Sequence, residues 1–437
     1  MTTSIECAET AIHLIRPYVG NTRTHSKKQI EQLAASIAAD GWTNPIVINS
    51  DGVVIAGHGR LRAARKLGLV KVPTIVVRGL SEAQERRLRI ADNKIALNAG
   101  WDMDLLKVEL EEIDLSGLDV SLTGFSVGEL DVLFEPKSGR AAKVDPVPVH
   151  AVTQLGDIWI CDRHRIGCGD LLDGAPLIAL MAGERADAII SDPPYNTSNA
   201  THNGGNGQFV HREFQYAHGE MSKKQFTDFL SNTEGIMAAH AREGAVAFIF
   251  MDHHHAGEQI AAGDAVFGKR LNIAIWVKSN AGMGSLYRSQ HEMVFVYVVG
   301  DAPHRNNVEL GKHGRNRTNV WNATSVNTFG GRQDDLELHP TVKPVKLISD
   351  AILDVTVPGE IVLDGFLGSG TTLLAATHTK RRAFGLEIDP AYVDVAITRW
   401  RDLTGIEPVL EATSETFSEV RDRREIEQSP AAGQTGA

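Results

Sequence analysis

Residues 186–196 read Ala-Asp-Ala-Ile-Ile-Ser-Asp-Pro-Pro-Tyr-Asn, and the rest of the chain is organised around them. Its apolar run at residues 188–190 is typical of a short buried strand. Pro193 and Pro194 cannot donate hydrogen bonds to a neighbouring strand, so the strand has to end before them. The pattern predicts a rigid turn at the carboxyl end of a strand, which is the edge where open α/β sheets bind ligands.

The turn carries one carboxylate, Asp192, and one aromatic ring, Tyr195. An exocyclic amino group on a nucleobase is a poor nucleophile, because its lone pair is delocalised into the ring. Asp192 and the Pro193 carbonyl can accept both amino hydrogens and so localise that lone pair, with the acceptors fixed in advance. Tyr195 can stack on the base. The same residues also suit a plain strand-ending turn with a solvated aspartate, so this motif alone leaves both interpretations open.

The composition is that of a globular protein. The chain has 437 residues, of which 42% are hydrophobic and 23% charged, and this length favours two or three domains. The formal net charge of -11 counts against a uniformly basic nucleic-acid binder. A local basic groove stays compatible with it, because a phosphate backbone responds to nearby charge.

Cysteines and histidines carry little disulfide or metal signal. Cys7, Cys161 and Cys168 form no disulfide framework and lack zinc-knuckle spacing, which indicates a reducing compartment. Residues 253–255 are successive histidines, but adjacent residues do not share a helix face, so we expect no metal site. The sequence has neither a secretory signal nor a membrane-length apolar run, which predicts a cytoplasmic protein without a membrane partner.

The amino-terminal part predicts a small α/β module. Ser26 suits the N-cap of a helix that ends near Gly41, and residues 45–48 and 53–56 read as two strands joined by a turn. The next residues form a Gly/Arg box between strand and helix: Gly57, His58, Gly59 and Arg60. Glycines permit close backbone approach, a helix amino terminus favours an anion, and the arginine adds a phosphate contact. A tight turn with a solvated arginine explains the box equally well.

Residues 55–64, which read Ile-Ala-Gly-His-Gly-Arg-Leu-Arg-Ala-Ala, resemble the ParB amino-terminal family. The resemblance covers residues 1–80 and implies that the Gly/Arg box binds nucleotide or DNA. The box has Gly-His-Gly-Arg where partition proteins usually have Gly-Glu-Arg-Arg. Residues 81–134 read as mostly helical, and we interpret Arg86, Arg87 and Arg89 as a solvated helix face. The prolines of residues 135–149 predict a linker.

A second motif begins with a predicted strand at residues 361–363. The Gly-rich turn after it consists of Asp364, Gly365, Phe366, Leu367, Gly368, Ser369, Gly370, Thr371 and Thr372. A strand, a Gly-rich turn and a helix form half of a nucleotide-binding unit. No lysine follows Gly370, so the turn is not a Walker loop, and it does not match the GxGxxG pattern. Glu387 ends the next predicted strand, where an acidic residue typically accepts both ribose hydroxyls, so we expect a nucleoside-containing cofactor.

Basic residues concentrate near residues 304–317, after a flexible glycine loop that carries Arg288. The basic side chains that we assign to DNA binding are Arg288, Arg305, Lys312, Arg315 and Arg317. A solvated loop would explain them, but such a concentration in an acidic chain favours a surface that follows phosphates. Residues 197–219 are rich in Asn, Gly and His and directly follow Tyr195, so we expect them to form a lid over the polynucleotide.

The two motifs together require a cofactor that has a ribose and a carboxylate, and S-adenosyl-L-methionine fits. With residues 192–195 preceding residues 364–372, the chain from 155 to 400 resembles the amino-group DNA methyltransferases of the beta class. This resemblance implies an α/β fold: a circularly permuted Rossmann-like S-adenosylmethionine-dependent methyltransferase domain. It also implies that Asp170 lies near the cofactor adenine, and that a segment with His339, Thr341 and Lys343 lies beside its methionine end. Gly365 stands where many relatives have proline.

The resemblance further implies the reaction. Relatives with Asp at the first catalytic position mostly methylate adenine at N6, so Asp192 favours adenine in double-stranded DNA. The base would flip out, stack on Tyr195 and react without a covalent intermediate or a metal. Three alternatives are N4-cytosine methylation, action on RNA, and a non-catalytic ParB-like DNA-binding or regulatory protein. Relatives are often dimers, so a homodimer is a further expectation.

These interpretations divide the chain into four parts. A ParB-like domain occupies residues 1–80, and a helical segment with the linker occupies residues 81–150. The methyltransferase domain occupies residues 151–410. The polar residues 411–437 lack an apolar period, and we expect a disordered tail there.

Overall fold

The computed structural model describes residues 4–96, 98, 101–125, 127–134, 151–197, 217–278, 281, 286–309, 317–322 and 343–428. Internal contacts divide the chain into two compact units, Met1–Leu133 and Phe134–Ala437. Each unit has its own sheet and its own hydrophobic core. The predicted linker at residues 135–149 lies outside the described residues.

The first unit contains a four-stranded sheet within its described part. The strands are β1 (Ser4–Ala11), β2 (Ile46–Asn49), β3 (Val54–Ala56) and β4 (Lys71–Arg78). Their spatial order is β1-β4-β2-β3, in which β4 pairs antiparallel with β1 and parallel with β2. β2 and β3 pair antiparallel, which confirms the two predicted strands and their turn. The fully packed core side chains are Ile15, Ile46, Ile48, Val54, Leu61, Ala64 and Val72.

Five α-helices follow in the first 134 residues, within the ranges described. They are α1 (Lys27–Asp40), α2 (His58–Lys66), α3 (Glu82–Ala96), α4 (Met103–Leu115) and α5 (Val127–Phe134). The Ser26 hydroxyl accepts a hydrogen bond from the Gln29 N–H at 3.1 Å, which confirms the predicted N-cap of α1.

Arg89 on α3 corrects the expectation of a solvated arginine face. Its side chain is buried, and its Nε donates to the Val54 carbonyl at 3.1 Å. The guanidinium also pairs with Glu85 at 2.8 Å and lies 4.0 Å from the centre of the Tyr18 ring. An arginine can be buried here because a carboxylate balances its charge and an aromatic face covers it.

The second unit is built on a larger sheet. Its strands, in the part of the chain that the structure describes, are β5 (Ile158–Cys161), β6 (His164–Cys168), β7 (Ala186–Ser191), β8 (Ala241–Met251), β9 (Lys269–Val277), β10 (His291–Val298), β11 (Val320–Asn322), β12 (Ile361–Asp364), β13 (Arg382–Glu387) and β14 (Val409–Leu410). The spatial order is β11-β9-β10-β8-β7-β12-β13-β6-β5-β14. The five central strands, from β8 to β6, are parallel, and β10 runs antiparallel to both β8 and β9.

The strand order confirms the circularly permuted α/β fold. From β7 the chain continues to β8 on one side, whereas from β12 it continues to β13 on the other side. β7 and β12 are parallel neighbours, with Ala188 beside Val362 and Ile189 beside Leu363. The crevice at such a reversal, outside the carboxyl ends of the strands, is the usual ligand site of an open α/β sheet.

Helices cover both faces of this sheet. Within the described ranges they are α6 (Ala175–Met181), α7 (Lys223–Ala239), α8 (Ala256–Val266), α9 (Val345–Val355), α10 (Thr371–His378), α11 (Pro390–Thr404) and α12 (Phe417–Gln428). Ile189 of β7 packs in the cluster formed with α6, α7 and α8, whereas Ala188 and Ile190 pack in the cluster formed with α9 and α10. Burial on both faces explains why residues 188–190 are continuously apolar. No described helix has the length and apolar character needed to cross a membrane.

α12 overturns the expectation of a disordered tail after residue 411. Phe417 and Val420 are buried, and the Phe417 ring meets the Trp159 ring edge-on at 5.2 Å. Arg424 donates to the Val152 carbonyl and to Asp157, both at 2.6 Å. The helix docks through two apolar side chains and one buried ion pair, and such a docking face leaves little apolar period in the sequence. Residues 429–437 lie outside the described part.

A buried carboxyl–amide pair joins α7 to α8. Glu234 is 1% exposed, and its Oε1 accepts a hydrogen bond from Gln259 Nε2 at 2.7 Å. Glu234 Oε2 and Gln259 Oε1 are both buried without a hydrogen-bond partner among the described residues. Two such oxygens can only accept, unless the carboxyl is protonated and becomes a donor. Burial raises the pKa of Glu234 to about 8, in agreement with a protonated side chain at neutral pH.

We expect replacement of Arg424 by methionine to lower the free energy of unfolding by roughly 3 kcal/mol, because Asp157 would lose its buried counter-charge. Urea titration measures the change. Arg421→Met on the same helix is the matched control, since Arg421 is 44% exposed and pairs with its neighbour Asp422. The control should cost less than about 0.5 kcal/mol. Equal effects of the two substitutions would contradict the docking of α12.

Glu234 should make stability fall with rising pH. The folded protein keeps the Glu234 proton up to about pH 8, whereas the unfolded chain releases it near the ordinary glutamate value of 4.5. Between those limits this group lowers the free energy of unfolding by about 1.4 kcal/mol per pH unit. Glu234→Gln, which keeps a hydrogen-bonded pair with Gln259, should remove that slope and stabilise the protein most at pH 8 and above.

Urea titrations at pH 5.5 and pH 8 test this expectation. Glu184→Gln is the control, because the hydrogen bond from Arg382 lowers the pKa of Glu184 and moves its titration out of this range. A wild-type slope that persists in Glu234→Gln would show that Glu234 is ionised in the folded state.

Candidate active site

Asp192 and Tyr195 lie directly beyond the end of β7, where the sequence places them. The Tyr195 hydroxyl donates to Asp192 Oδ1 at 2.6 Å. Asn196 has a φ of +52°, and its side chain donates to the Met221 carbonyl at 2.8 Å and accepts from the Met221 N–H at 3.1 Å. The turn is therefore fastened to the segment before α7 and holds its carboxylate in one orientation.

Lys343 reaches into this turn from the residues before α9. Its Nζ lies 2.6 Å from Asp192 Oδ2 and 3.1 Å from Glu292 Oε2. Glu292 of β10 also receives Lys278 Nζ at 2.5 Å on its other oxygen. Lys343 is 5% exposed and Glu292 is 8% exposed, so two carboxylates and two ammonium groups form a mostly buried network of balanced charge.

The network perturbs the titration of its members. Burial would raise the pKa of Glu292, but Lys343 and Lys278 outweigh it and lower that pKa to about 2. Burial likewise opposes a charged Lys343, whereas Asp192 and Glu292 raise its pKa. For Asp192, burial raises the pKa against the opposing effect of Lys343, and the negative charge of Glu292 adds to the rise. Glu292 and Lys343 are thus charged at neutral pH.

The Gly-rich turn follows β12 and is tied at both ends by Asp364. Its Oδ1 accepts the Phe366 N–H at 3.0 Å, and its Oδ2 accepts the Thr372 hydroxyl at 2.6 Å. Asp364 is buried, which raises its pKa to about 7. The side chain predicted to bind cofactor therefore first shapes the turn itself.

Two glycines of this turn have distinct roles. Gly370 has a φ of +84°, and an added Cβ would lie 2.7 Å from the Ala396 Cβ, so α11 packs against it directly. Gly368 has a φ of +52°, and no atom lies within 4 Å of where its Cβ would be. Arg399 of α11 stabilises the turn by donating a hydrogen bond to the Ser369 hydroxyl at 3.0 Å. The open side at Gly368 lets a ligand approach the backbone.

Glu387 ends β13 and faces the same turn. Its Oε2 accepts the Gly368 N–H at 2.8 Å, and its Oε1 accepts the Asp389 N–H at 2.9 Å. Burial raises the pKa of Glu387, and these two backbone bonds oppose the rise. Each carboxylate oxygen keeps a further lone pair for a ligand hydroxyl.

A pocket opens at the carboxyl ends of β6, β12 and β13. It is lined by Gly169, Asp170, Leu171, Leu172, Phe229, Thr233, Gly365, Phe366, Glu387 and Ile388. It brings together Asp170, Phe366 and Glu387, three residues from separate segments that the sequence predicts to bind cofactor. Asp170 also caps the short turn after β6 by accepting the Leu172 N–H at 2.9 Å. The other described residues that the sequence predicts to bind cofactor lie outside this lining: Lys343, Asp364, Gly368, Ser369, Gly370, Thr371 and Thr372. The Thr371 hydroxyl donates to the Lys343 carbonyl at 3.4 Å.

The structure gives two of the predicted DNA-binding arginines internal partners. Arg305 pairs with Glu360 at 2.9 Å. Arg317 pairs with Asp350 at 2.8 Å and Asp354 at 2.7 Å. Their charge is already balanced within the protein, so neither presents a free cation to a phosphate. Arg288 is exposed and donates to the Ala281 carbonyl at 2.8 Å.

The Gly/Arg box of the first unit begins α2 as predicted. Gly57 has a φ of +99° and precedes the first helical residue. His58 accepts the Tyr18 N–H at 3.2 Å on Nε2, and burial lowers its pKa to about 4, so the ring is neutral. Arg60 Nε is buried and has no hydrogen-bond partner in the described part of the chain. Binding of nucleotide or DNA by this box stays a prediction.

Several predicted site residues lie outside the described residues. They are His339 and Thr341 beside the cofactor, and Lys312 and Arg315 in the basic segment. Most of the predicted lid, residues 198–216, lies outside as well.

Sequence reasoning missed Glu292 and Lys278, and it assigned Lys343 to the cofactor, whereas its ammonium group contacts Asp192. A signal for Glu292 was present, since it is the acidic residue of a strand that otherwise reads His-Met-Val-Phe-Val-Tyr-Val. A charged residue in so apolar a strand needs a buried partner. The sequence does not say which partner.

Three protein families match separate parts of the chain. Residues 186–398 match the DNA methylase family of N6 and N4 methyltransferases. Residues 3–94 match the ParB N-terminal domain, and residues 104–155 match the ParB-methyltransferase HTH domain. The last match spans residues for which the sequence predicts a helical segment and a linker.

Individual relatives are either ParB-like proteins or DNA methyltransferases. The ParB-like nuclease domain-containing protein YnaK of Escherichia coli K12 is 49% identical over 73 residues, which are 17% of this chain and 84% of the relative. The Type II methyltransferase M2.MboI of Moraxella bovis is 27% identical over 236 residues, covering 50% of this chain and 82% of the relative. The DNA adenine methyltransferase YhdJ of Escherichia coli K12 is 40% identical over 81 residues, covering 18% of this chain and 26% of the relative.

The DNA methylase match includes both the turn after β7 and the turn after β12, which lie side by side in the sheet. The chain therefore combines a DNA methylase domain of the N6/N4 type with ParB N-terminal and ParB-methyltransferase helix-turn-helix domains, and over half of its length it is similar to a Type II methyltransferase.

Proposed function

We propose that this protein transfers a methyl group from S-adenosyl-L-methionine to the N6 amino group of an adenine flipped out of double-stranded DNA. One observation carries the proposal: Asp192 and the Gly-rich turn stand at the carboxyl ends of the neighbouring parallel strands β7 and β12. An amino-group acceptor site and a cofactor site are thereby adjacent.

The pocket fits the cofactor by its donor and acceptor chemistry. Glu387 would accept the ribose hydroxyls, and Asp170 would lie near the adenine, with Phe366 along the pocket wall. The open side at Gly368 leaves room beside the backbone for the methionine end. His339 and Thr341 are proposed to contact the same end. When bound, S-adenosylmethionine supplies an electrophilic methyl group on a positively charged sulfur.

The residues of the catalytic turn prepare the amino group. Asp192 and the Pro193 carbonyl accept hydrogen bonds from its two N–H groups. These bonds draw the nitrogen toward a tetrahedral shape and localise its lone pair. Tyr195 is fixed by its hydrogen bond to Asp192, so that its ring stands ready as a stacking surface. Pro194 stiffens the turn between them. Catalysis therefore rests on positioning and on a preorganised negative charge.

Adenine is favoured over cytosine by the side chain at position 192. An aspartate at the first position of this motif is typical of N6-adenine enzymes, whereas a serine there is typical of N4-cytosine enzymes. The relative YhdJ, named as a DNA adenine methyltransferase, supports the same choice over the short part that matches.

DNA contacts outside the catalytic turn come from two sources in this proposal. Arg288 together with Lys312 and Arg315 would contact phosphates near the site. The ParB-like and helix-turn-helix domains would add sequence-independent or sequence-specific contacts of their own.

Tritiated methyl transfer to unmethylated duplex DNA, followed by nucleoside analysis, tests the reaction. We expect label in N6-methyladenine, and we expect Asp192→Ala to lower the rate by about 100-fold or more, the usual effect of removing a preorganised catalytic group. Asp228→Ala changes an exposed aspartate and serves as control. A normal rate in Asp192→Ala would refute the proposed role of Asp192, and label in N4-methylcytosine would correct the base.

Cofactor binding without DNA tests the pocket separately. Replacing Glu387 by glutamine removes the charge that would accept the ribose hydroxyls, so the dissociation constant for S-adenosylmethionine should rise by about 10- to 100-fold. Isothermal titration calorimetry measures it. Glu407→Gln alters a partly exposed glutamate away from the pocket and should leave the constant unchanged. Unchanged affinity in Glu387→Gln would place the ribose elsewhere.

A further inference from the structure

Lys343 connects the two functional turns physically. Its backbone carbonyl accepts the Thr371 hydroxyl at 3.4 Å, at the start of the helix that follows the Gly-rich turn. Its Nζ lies 2.6 Å from Asp192 in the catalytic turn. The ammonium group lies over three aromatic rings, with distances of 5.2 Å to Phe250, 5.6 Å to Tyr195 and 6.0 Å to Trp276. A single residue therefore reaches both sides of the proposed reaction.

Both oxygens of Asp192 already accept a hydrogen bond in this structure. Oδ1 accepts from Tyr195, and Oδ2 accepts from Lys343. An amino group that donates to Asp192 has to use the remaining lone pairs or replace the ammonium group. Lys343 thus both fixes the carboxylate and competes for it.

Glu292 offers Lys343 and Tyr195 a second acceptor. Its Oε2 lies 3.1 Å from Lys343 Nζ and 3.3 Å from the Tyr195 hydroxyl, while its Oε1 receives Lys278. Tyr195 and Lys343, which donate hydrogen bonds to Asp192, therefore both lie close to Glu292 as well. Glu292 can hold them when Asp192 turns its lone pairs to a base.

We propose that Glu292 and Lys343 are positioning residues for the methyl transfer, with Lys343 orienting Asp192 as a carboxylate and Glu292 holding Lys343 so that Asp192 stays available to the amino group. This inference rests on the proposed function, because it assigns roles within that reaction. If Asp192, Glu292, Lys278 and Lys343 served only to stabilise the fold, the pH dependence of methyl transfer would not depend on Glu292 and Lys343.

The charges around Asp192 decide the direction of each effect. Lys343 and Glu292 contact it or share its partners, Tyr195 donates to it, and Lys278 neutralises the far side of Glu292. Two further carboxylates interact with this site at longer range: the charge of Asp192 raises the pKa of Asp364, and the charge of Asp252 raises the pKa of Tyr195. Removing the charge of Lys343 therefore leaves Asp192 among negative charges. Removing the charge of Glu292 leaves Asp192 as the remaining carboxylate of this network that pairs with Lys343.

Two substitutions should consequently move the pH profile of kcat/KM in opposite directions. Lys343→Met keeps the length of the side chain and removes its charge, so the acidic limb should move up by one pH unit or more. Glu292→Gln should move that limb down, and it should lower kcat/KM for DNA by about tenfold, because Lys343 then binds Asp192 more tightly. Cofactor affinity without DNA should stay unchanged in Glu292→Gln.

Lys224→Met is the matched control, since Lys224 is 90% exposed and forms a surface ion pair with Asp228 at 3.9 Å. Opposite shifts of the acidic limb, with an unshifted control, support the positioning roles. Losses of activity that follow thermal stability alone, with both acidic limbs unmoved, would overturn them.

A readout without methyl transfer separates this inference from the proposed function. In Lys343→Met, Asp192 gains a proton more readily in the folded than in the unfolded state. The free energy of unfolding of the Lys343→Met protein should therefore fall more steeply between pH 5 and pH 8 than that of the wild type. A wild-type protein that methylates no DNA, combined with this steeper slope, would refute the reaction and leave the charge network established. Parallel slopes would refute the network itself.

Discussion

The parallel pairing of β7 with β12 is the constraint on which the rest of the second unit depends. Parallel neighbours end at the same edge of a sheet, so the turns that follow them share one crevice. One turn carries Asp192 and the other is shaped by Asp364, although these aspartates are 172 positions apart in the sequence. Helices pack on both faces of β7, as expected for a strand in the interior of the sheet.

A second constraint is the cost of burying charge. The site contains Asp192, Glu292 and Lys343 at low exposure, and none could stay charged there alone. Lys343 balances two carboxylates, and Lys278 balances the remaining charge of Glu292. The same principle explains Arg89 with Glu85 in the first unit and Arg424 with Asp157 on the last helix. In each case a charged side chain is buried only where an opposite charge meets it.

In the Gly-rich turn, residues that we propose to bind the cofactor also stabilise the fold. Asp364 and Glu387 both accept backbone N–H groups of the turn, so they hold its shape before any ligand arrives. Gly370 is required by its close contact with Ala396, whereas Gly368 leaves an open side. A cofactor that binds here meets a preorganised backbone, which limits the ordering cost of binding.

The sequence by itself determined the local elements and the chemistry of the two turns. Proline pairs end strands, glycines with positive φ open turns, and apolar runs mark buried strands, because these effects act within a few residues. The strand–turn–helix around Gly368 and the carboxylate at Glu387 were readable for that reason. The hairpin of the first unit and the N-cap at Ser26 were readable as well.

Tertiary structure alone decided which charged groups meet. Lys343 lies far in sequence from Asp192 and Glu292, and nothing local in the sequence says that it meets both, or that Lys278 pairs with Glu292. The same holds for Arg305 and Arg317, which look like a basic surface in sequence but pair with Glu360 and with Asp350 and Asp354. The docking of α12 through Arg424 escaped the sequence pattern too, because a polar helix gives no apolar period. Ion pairs between distant segments are set by the packing of the sheet and its helices, and that packing is a property of the whole chain.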